Sequence, residues 1–369
     1  MSVRAVYALT GDVAEAEARA EALAVEQSHE FPPELAPAKA AASRATVLAV
    51  EEAGPELALA TVEFPDDLAG DELTQLLVMV FGNCALLPGV RLVDLDVPPE
   101  LAVALGGGPA LGAEGVRRVL GVPERPILAT ALKPVGLPTE DLADLGRRFA
   151  EGGIDLIKDD QGLGNQRWSP YAERVPRIAE AVAAGNAASG HGARYLPSFD
   201  APPEHVEERL RIALDAGAGG LLVVPGVGGL PLVRWLARNT PDDFILLAHP
   251  ALLGSLSVSP TAGIEPDVLY GLLLRLAGAD AAIFPSFGGR FSFSEEECRS
   301  IADGCARPFA GLLPSLPAPG GGMSPDRVPE LVDFYGRDVV LLIGGELHRG
   351  GDPKGAAERF RALVEALPA

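Results

Sequence analysis

Over residues 127–369, short apolar runs alternate with amphipathic stretches eight times. The candidate strands are Ile127–Lys133, Leu156–Asp160, Ala193–Phe199, Gly220–Val224, Phe244–His249, Ala281–Pro285, Gly311–Leu316 and Val339–Ile343. Helical spacing falls between and after them, as in Thr139–Glu151, Pro203–Ala216, Ser294–Cys305 and Lys354–Leu367. Runs that are apolar on both faces are buried parallel strands, and parallel strands need crossover helices. Eight such units in a segment of this size predict a closed (β/α)8 barrel, the TIM barrel, rather than an open doubly wound sheet.

Residues 1–125 have another rhythm. Val3–Leu9, Ala45–Glu51, Leu57–Phe64 and Gly89–Val97 read as strands, and Asp12–Glu26 and Asp71–Val80 as helices. Strands interleaved with two helices predict an α+β sandwich of ferredoxin type. The Gly106-Gly107-Gly108-Pro109 stretch leads from this first domain, 1–125, to the barrel domain, 126–369.

Composition narrows the partners. A net charge of −21 argues against a nucleic-acid surface or a polybasic membrane patch. No apolar run reaches membrane-spanning length, and the chain starts in a strand-like pattern rather than a leader. Three cysteines, Cys84, Cys298 and Cys305, have no metal-ligand spacing and read as free thiols of a cytoplasmic protein.

A barrel of this type carries its chemistry at the C-terminal ends of its strands. Lysine is scarce, with only Lys39, Lys133, Lys158 and Lys354. Two of the four close predicted strands. Strand one ends in Lys133-Pro134, strand two in Lys158-Asp159-Asp160-Gln161, and strand five in His249-Pro250. Alternation puts Lys158 and Asp160 on one face and Asp159 on the other. A lysine carbamate with Asp160 would suit a divalent cation; the same residues also suit a solvated charged strand end. Strand six runs into Ser286-Phe287-Gly288-Gly289-Arg290. Gly320-Gly321-Gly322 and Gly344-Gly345 follow strands seven and eight, the usual phosphate position in this fold, where glycines admit close approach of backbone N–H groups. Either glycine stretch taken singly also fits a plain tight turn.

These motifs together resemble the RuBisCO large-subunit superfamily, and within it the non-carboxylating RuBisCO-like proteins. The resemblance rests on Phe81-Gly82-Asn83, Leu132-Lys133-Pro134, Gly153 to Asp160, Ala248-His249-Pro250-Ala251, the triple glycine and Ile343-Gly344-Gly345, and so spans nearly the whole chain. It implies that Lys158 is carbamylated and binds Mg2+ with Asp160. It implies that Lys133 moves the substrate proton, that His249 contacts substrate, and that Gly321, Gly322, Gly344 and Gly345 hold phosphate. Asn83, and with it Glu26, would reach the active site of a partner subunit in a homodimer.

The sequence departs from that pattern in three places. Gln161 replaces the third metal-binding Glu and leaves the site one negative charge short. The loop after strand six has Arg290 but lacks the carboxylases' lysine. Pro250 stands where carboxylases carry a phosphate-gripping arginine. These losses point away from a bisphosphate and from CO2 fixation. The chemistry common to the superfamily is proton removal beside a sugar carbonyl, for which Lys133, lowered in pKa by burial, would be the base. The expected function is a sugar-phosphate isomerase or tautomerase acting through an enediolate, with 5-methylthioribulose 1-phosphate of methionine salvage as the leading substrate. Alternatives are 2,3-diketo-5-methylthiopentyl-1-phosphate enolase, an oxo-isoapionate-phosphate decarboxylase or hydrolase, and a catalytically inactive binding protein.

Overall fold

The structure, a computed structural model, describes residues 1–291 and 293–367. In strand β1 (Ser2–Thr10), Val3, Ala5, Tyr7 and Leu9 are buried while their neighbours point outward, as the period-two pattern requires. Strand β3 (Leu57–Pro65) does the same with Ala58, Ala60, Val62 and Phe64, and pairs antiparallel with β1. Strand β2 (Thr46–Gly54) flanks β3, and β4 (Val90–Asp96) flanks β1. The order β4-β1-β3-β2, with helices Val13–Glu26 and Leu73–Phe81, is the ferredoxin-like arrangement. Asp12 starts the first helix by accepting the Glu15 amide at 2.9 Å. A fifth strand joins this sheet from the barrel half: β11 (Gly263–Ile264) lies parallel to β4. Two residues, the first a glycine, carry no sequence signal of a strand.

The barrel strands are β5 (Ile127–Leu132), β6 (Leu156–Asp159), β7 (Arg194–Leu196) continued by β8 (Ser198–Phe199), β9 (Gly220–Val223), β10 (Ile245–Ala248), β12 (Ala281–Pro285), β13 (Leu316–Gly320) and β14 (Val340–Leu342). The (β/α)8 barrel after a ferredoxin-like domain is therefore the fold. All recorded barrel pairings are parallel, and they form two ladders, β14-β5-β6-β7 and β8-β9-β10-β12-β13.

Proline places both seams. Pro197 splits the third strand, expected as one run from 193 to 199, because it offers no N–H to a ladder. The seventh strand is Leu316–Gly320 rather than the expected Gly311–Leu316. Its amides at 316, 318 and 320 face β12, as the Leu316 N–H to Asp280 carbonyl bond of 2.9 Å shows. Pro317 and Pro319 then face β14, where a missing N–H breaks no ladder. The 311–315 stretch is held out as a loop by buried Arg275, whose guanidinium donates to the carbonyls of Arg307, Leu312 and Leu313 at 2.5–2.7 Å.

Inside the barrel, every second side chain forms one apolar cluster: Ile127 and Ala129, Leu156, Leu222, Ile245 and Leu247, Ile283, Ala318, Leu342. Helix Gly112–Leu120 closes the bottom, where the Asp280 carboxylate accepts the amides of Leu111, Gly112 and Leu246. Continuing the same alternation upward gives the next inward layer: Lys133 above Ala129 and Ala131, Lys158 and Asp160 above Leu156, His249 above Leu247, Gly320 above Ala318, and Gly344 above Leu342. The side chains singled out in the sequence are thus the top floor of the barrel interior.

Candidate active site

That floor lines a cavity of about 1180 Å3 at the C-terminal mouth. Lys133, Lys158, Gln161, His249, Arg290, Gly320 to Gly322, Gly344 and Gly345 all border it. Asp160 joins through Lys133, whose ammonium is ion-paired with its carboxylate.

The two lysines differ in surroundings. Lys158 is 2 % exposed. Burial, joined by the charge of Lys133, lowers its pKa to about 8. Its one recorded hydrogen bond donates to the Asp159 carbonyl at 3.1 Å. Lys133 keeps a third of its side chain exposed (33 %) and takes Asp160 as its partner. Burial, expected for Lys133, falls on Lys158 instead, and Asp160 pairs with Lys133 rather than with the lysine of its own strand. The cause is local. Strand β6 ends at Asp159, and Asp160 already turns, accepting the Gly162 amide at 3.1 Å, which aims the carboxylate at the neighbouring strand. Burial pushes the Asp160 pKa upward, but the Lys133 contact and the Gly162 N–H outweigh it and hold it below the ordinary carboxylate value.

Asp159 faces outward, as alternation predicts, and accepts from Arg174, Tyr195 Oη at 2.9 Å and the Ser198 amide at 3.1 Å. It is fully occupied away from the cavity. His249 is a neutral imidazole at working pH: burial, then the charge of Lys158, lowers its pKa to about 3. Its Nδ1 accepts the Ala251 amide at 3.1 Å, so the ring proton sits on Nε2, which leaves the ring a donor toward substrate oxygen.

The glycine stretches are glycines for cause. Gly321 and Gly322 have φ of 87° and 111°. A Cβ on Gly321 would lie 2.9 Å from the Phe291 ring, and one on Gly322 would lie 3.0 Å from the Arg290 nitrogen. The Arg290 amide donates to the Gly321 carbonyl at 3.0 Å, so the loop after β12 rests on the loop after β13. Gly344 stands against Lys133, with a Cβ position 3.5 Å from Lys133 Cε. Asn83 and Glu26 are not at this cavity; Asn83 Nδ2 donates to Glu26 Oε1 at 2.8 Å on the exposed surface of the first domain.

Sequence reasoning missed two contributors. Arg174, fully buried in helix Tyr171–Ser189, also donates to the carbonyls of Leu163, Gly164 and Ser169 and pins the loop that carries Asp160 and Gln161. Tyr270 enters the cavity wall from a π-helical turn, Asp267–Leu273. Neither carried a signal, since an arginine in an amphipathic helix and a tyrosine in an apolar one look ordinary.

With this geometry in view, residues 112–369 match the family described as ribulose bisphosphate carboxylase large chain, catalytic domain. The chain belongs to the RuBisCO large-chain family. It is 41% identical over 363 residues to ribulose bisphosphate carboxylase-like protein 1 of Rhodopseudomonas palustris, covering 97% of this chain and 96% of that one. It is 39% identical to 5-methylthioribulose-1-phosphate isomerase of Rhodospirillum rubrum, over 95% of this chain and 92% of that one. A crystal structure of a Rubisco-like protein from Rhodopseudomonas palustris superposes with a TM-score of 0.89 at 36% identity, covering 100% of this chain and 98% of that one.

The RuBisCO family implies Mg2+ on a carbamylated lysine. Among the described residues, no three His, Cys, Asp or Glu side chains converge as a ready-made metal site. One carboxylate, one amide and two amines do not suit Mg2+ as they stand. Lys158 meets the requirement for a carbamate, because a buried amine with a pKa near 8 spends a useful fraction of time neutral and nucleophilic. As a carbamate, Lys158 with Asp160 and the Gln161 carbonyl would fit the ion, with one anionic ligand fewer than a three-acid set. Among the described residues no helix is long and apolar enough to cross a membrane.

Proposed function

We propose that this chain is an enolising isomerase of a ketose 1-phosphate, with 5-methylthioribulose 1-phosphate of methionine salvage as its substrate. The observation that carries this reading is the closeness of Lys133 to Gly344, where an added Cβ would lie 3.5 Å from Lys133 Cε. It sets a proton-carrying amine beside the glycine loops that would cradle the 1-phosphate, and so beside the first two carbons of the sugar.

In this reading Gly321, Gly322, Gly344 and Gly345 present backbone amides to the phosphate, and Arg290 adds charge from the adjoining loop. Lys133, once it has released its own proton to solvent and left Asp160, removes the proton next to the carbonyl and returns it at another carbon, so the reaction has no net redox change. Asp160 holds the Lys133 amine at the mouth between turnovers. His249 donates Nε2–H to the developing enediolate oxygen. Mg2+, when bound by Lys158 carbamate, Asp160 and Gln161, supplies electrophilic polarisation of the same oxygens. Three buried free thiols suit a cytoplasmic setting, the chain divides into an α+β domain and a barrel domain near 125/126 with helix Gly112–Leu120 packed on the barrel, and the functional unit is a homodimer in which Asn83 completes the partner's site. CO2 fixation is not expected, because Pro250 stands in place of the phosphate-gripping arginine and the loop after β12 has Arg290 but no lysine.

The test is phosphorus and proton NMR of candidate sugar phosphates in deuterated water. A product with shifted resonances and deuterium uptake is expected with 5-methylthioribulose 1-phosphate, and loss of at least about a hundredfold in rate with Lys133→Ala. Exchange without a new isomer would place the chain with the diketo-phosphate enolases. No exchange with any candidate would overturn an enzymatic reading.

A further inference from the structure

A chain with 51 acidic side chains and 30 lysines and arginines has carboxylates to spare for its cations. Its buried arginines use them or backbone carbonyls: Arg91 meets Glu265, Arg117 Asp338, Arg174 Asp159, Arg209 Asp200, and Arg275 three carbonyls. Arg234 does not. It lies in helix Leu230–Asn239, which follows β9, and is 8 % exposed. Its Nε is sealed from solvent with no hydrogen-bond partner, and among the described residues nothing accepts from the rest of its guanidinium. Burial, then the like charge of Arg238, lowers its pKa to about 10, so Arg234 is still a cation at neutral pH.

The surroundings are shaped to this guanidinium. Helix Pro99–Leu105 ends against it at Gly106, where the linker to the barrel begins. A Cβ on Gly106 would fall 1.4 Å from Arg234 Cζ, so the guanidinium fills the space a side chain would need. The carbonyls of that helix end are already engaged. Ala102 accepts the amides of Gly106 and Gly107 at 3.0 and 2.8 Å, and Val103 accepts that of Gly106 at 3.0 Å. Gly107 has nothing within 4 Å of its Cβ position, so room remains beside the linker. Arg238 stands one turn further along the same face of its helix and is exposed. It donates to the Ala104 carbonyl at 3.4 Å, the outer limit of a hydrogen bond. A buried cation beside a like charge, without an acceptor, is costly, and an anion seated on it removes that cost.

We infer that Arg234 and Arg238 form a binding site for a small tetrahedral oxyanion, inorganic phosphate or sulfate, at the junction of the first domain and the barrel. Arg234 offers its planar N–H fork from within, and Arg238 adds a second cation at the rim. Neither residue borders the cavity at the barrel mouth, so the site is separate from the catalytic one and stands apart from the reaction proposed above. The bound anion ties helix Leu230–Asn239 of the barrel to the linker at Gly106.

The test is thermal melting of the intact protein in chloride, in phosphate and in sulfate at one ionic strength. Arg234→Met keeps the apolar stem and removes the unpaired charge, so in chloride it should melt at or above the parent. Phosphate or sulfate should then raise the parent by about 2 °C or more relative to Arg234→Met. Anion bound at the barrel mouth raises both proteins alike and cancels in this difference. Arg238→Gln should lose most of the rise. Whichever of the two anions gives the larger rise names the better ligand. A variant that melts below the parent by one margin in all three salts would show Arg234 to be purely structural and overturn the site. So would a parent indifferent to both anions whose melting rises with protein concentration, since the acceptor would then be an acid of a second copy. Crystals grown in selenate give a reading that needs no variant. Anomalous density beside the Arg234 guanidinium is expected, and its absence there, with or without density at the mouth, would also overturn the site.

Discussion

Lys158 is level with Ala131 and Lys133 lies one floor higher, so Lys133 is a third exposed and ion-paired while Lys158 is sealed in. A chemistry that needs the neutral Lys158 amine, as a carbamate does, should strengthen with pH. The sign follows from a pKa lowered from 10.5 to about 8: the amine is protonated below that value and neutral above it. Turnover at fixed Mg2+ should therefore rise with an inflection near 8, and a pH-independent profile between 6 and 9 would remove Lys158 from that role. Gln161→Glu adds the missing carboxylate and should tighten Mg2+ binding, measured by calorimetry, whatever it does to rate; unchanged affinity would separate the site from Mg2+. At the opposite end, Asp280 is buried with three backbone amides and no cation, and burial raises its pKa to about 6. The native state then binds the extra proton between about pH 4 and 6, so this group costs stability as pH rises through that window and levels off above it. Asp280→Asn removes the slope. Relative to the variant, the parent should lose roughly 2–3 kcal/mol between pH 4 and 7 in denaturant unfolding, and a constant difference would show that Asp280 does not titrate there.

At the scale of elements, Arg174 gives the loop from Asp160 to Pro170 its buried anchor, beside the bonds that Asn165, Gln166 and Ser169 make at its surface. Arg174 donates to Asp159 at 3.1 Å and to three loop carbonyls at 2.6–3.0 Å, all without solvent. Arg174→Ala leaves the Asp159 carboxylate buried without its cation, a change on the order of 3–5 kcal/mol in stability. It should also weaken Mg2+ binding, because Asp160 and Gln161 ride on the released loop; a destabilised variant with unaltered Mg2+ affinity would limit Arg174 to a structural part. Arg174→Lys, with a charge but no planar fork, should recover only part of either loss. None of this was legible in the sequence, and the reason is general. Alternation along a strand is local, so Lys158, Asp160 and His249 could be placed on the inner face from spacing alone. The partner that crosses from a helix is not local, and neither is the exchange of Asp160 from Lys158 to Lys133. The two seams show the same limit. Pro197 and the Pro317, Pro319 pair read as strand breakers, and only the closed barrel reveals that the latter two face a side where no N–H is wanted.

At the scale of the whole molecule, the first domain is fastened to the barrel. Strand β11 extends its sheet, Arg91 Nε meets Glu265 at 2.7 Å, and the Arg307 guanidinium meets Asp94 at 2.6 Å. In this arrangement the Asn83–Glu26 pair stays off its own chain's cavity. The surface around it is apolar and open, with Val78 53%, Leu86 83% and Leu87 42% exposed, as a patch covered by a second copy would be. If Asn83 serves the partner's barrel, two inactive variants should complement. Asn83→Ala and Lys133→Ala should each be folded and each lose most activity. Mixed one to one and reassembled, they form mixed dimers in which one site has both defects and the other has neither. Random pairing then leaves about a quarter of all sites intact. Recovery of about a quarter of parental turnover is the expected outcome, read with the same substrate at equal protomer concentration. If Asn83 served its own chain, every site in every dimer would carry a defect, and the mixture would stay at the level of the single variants.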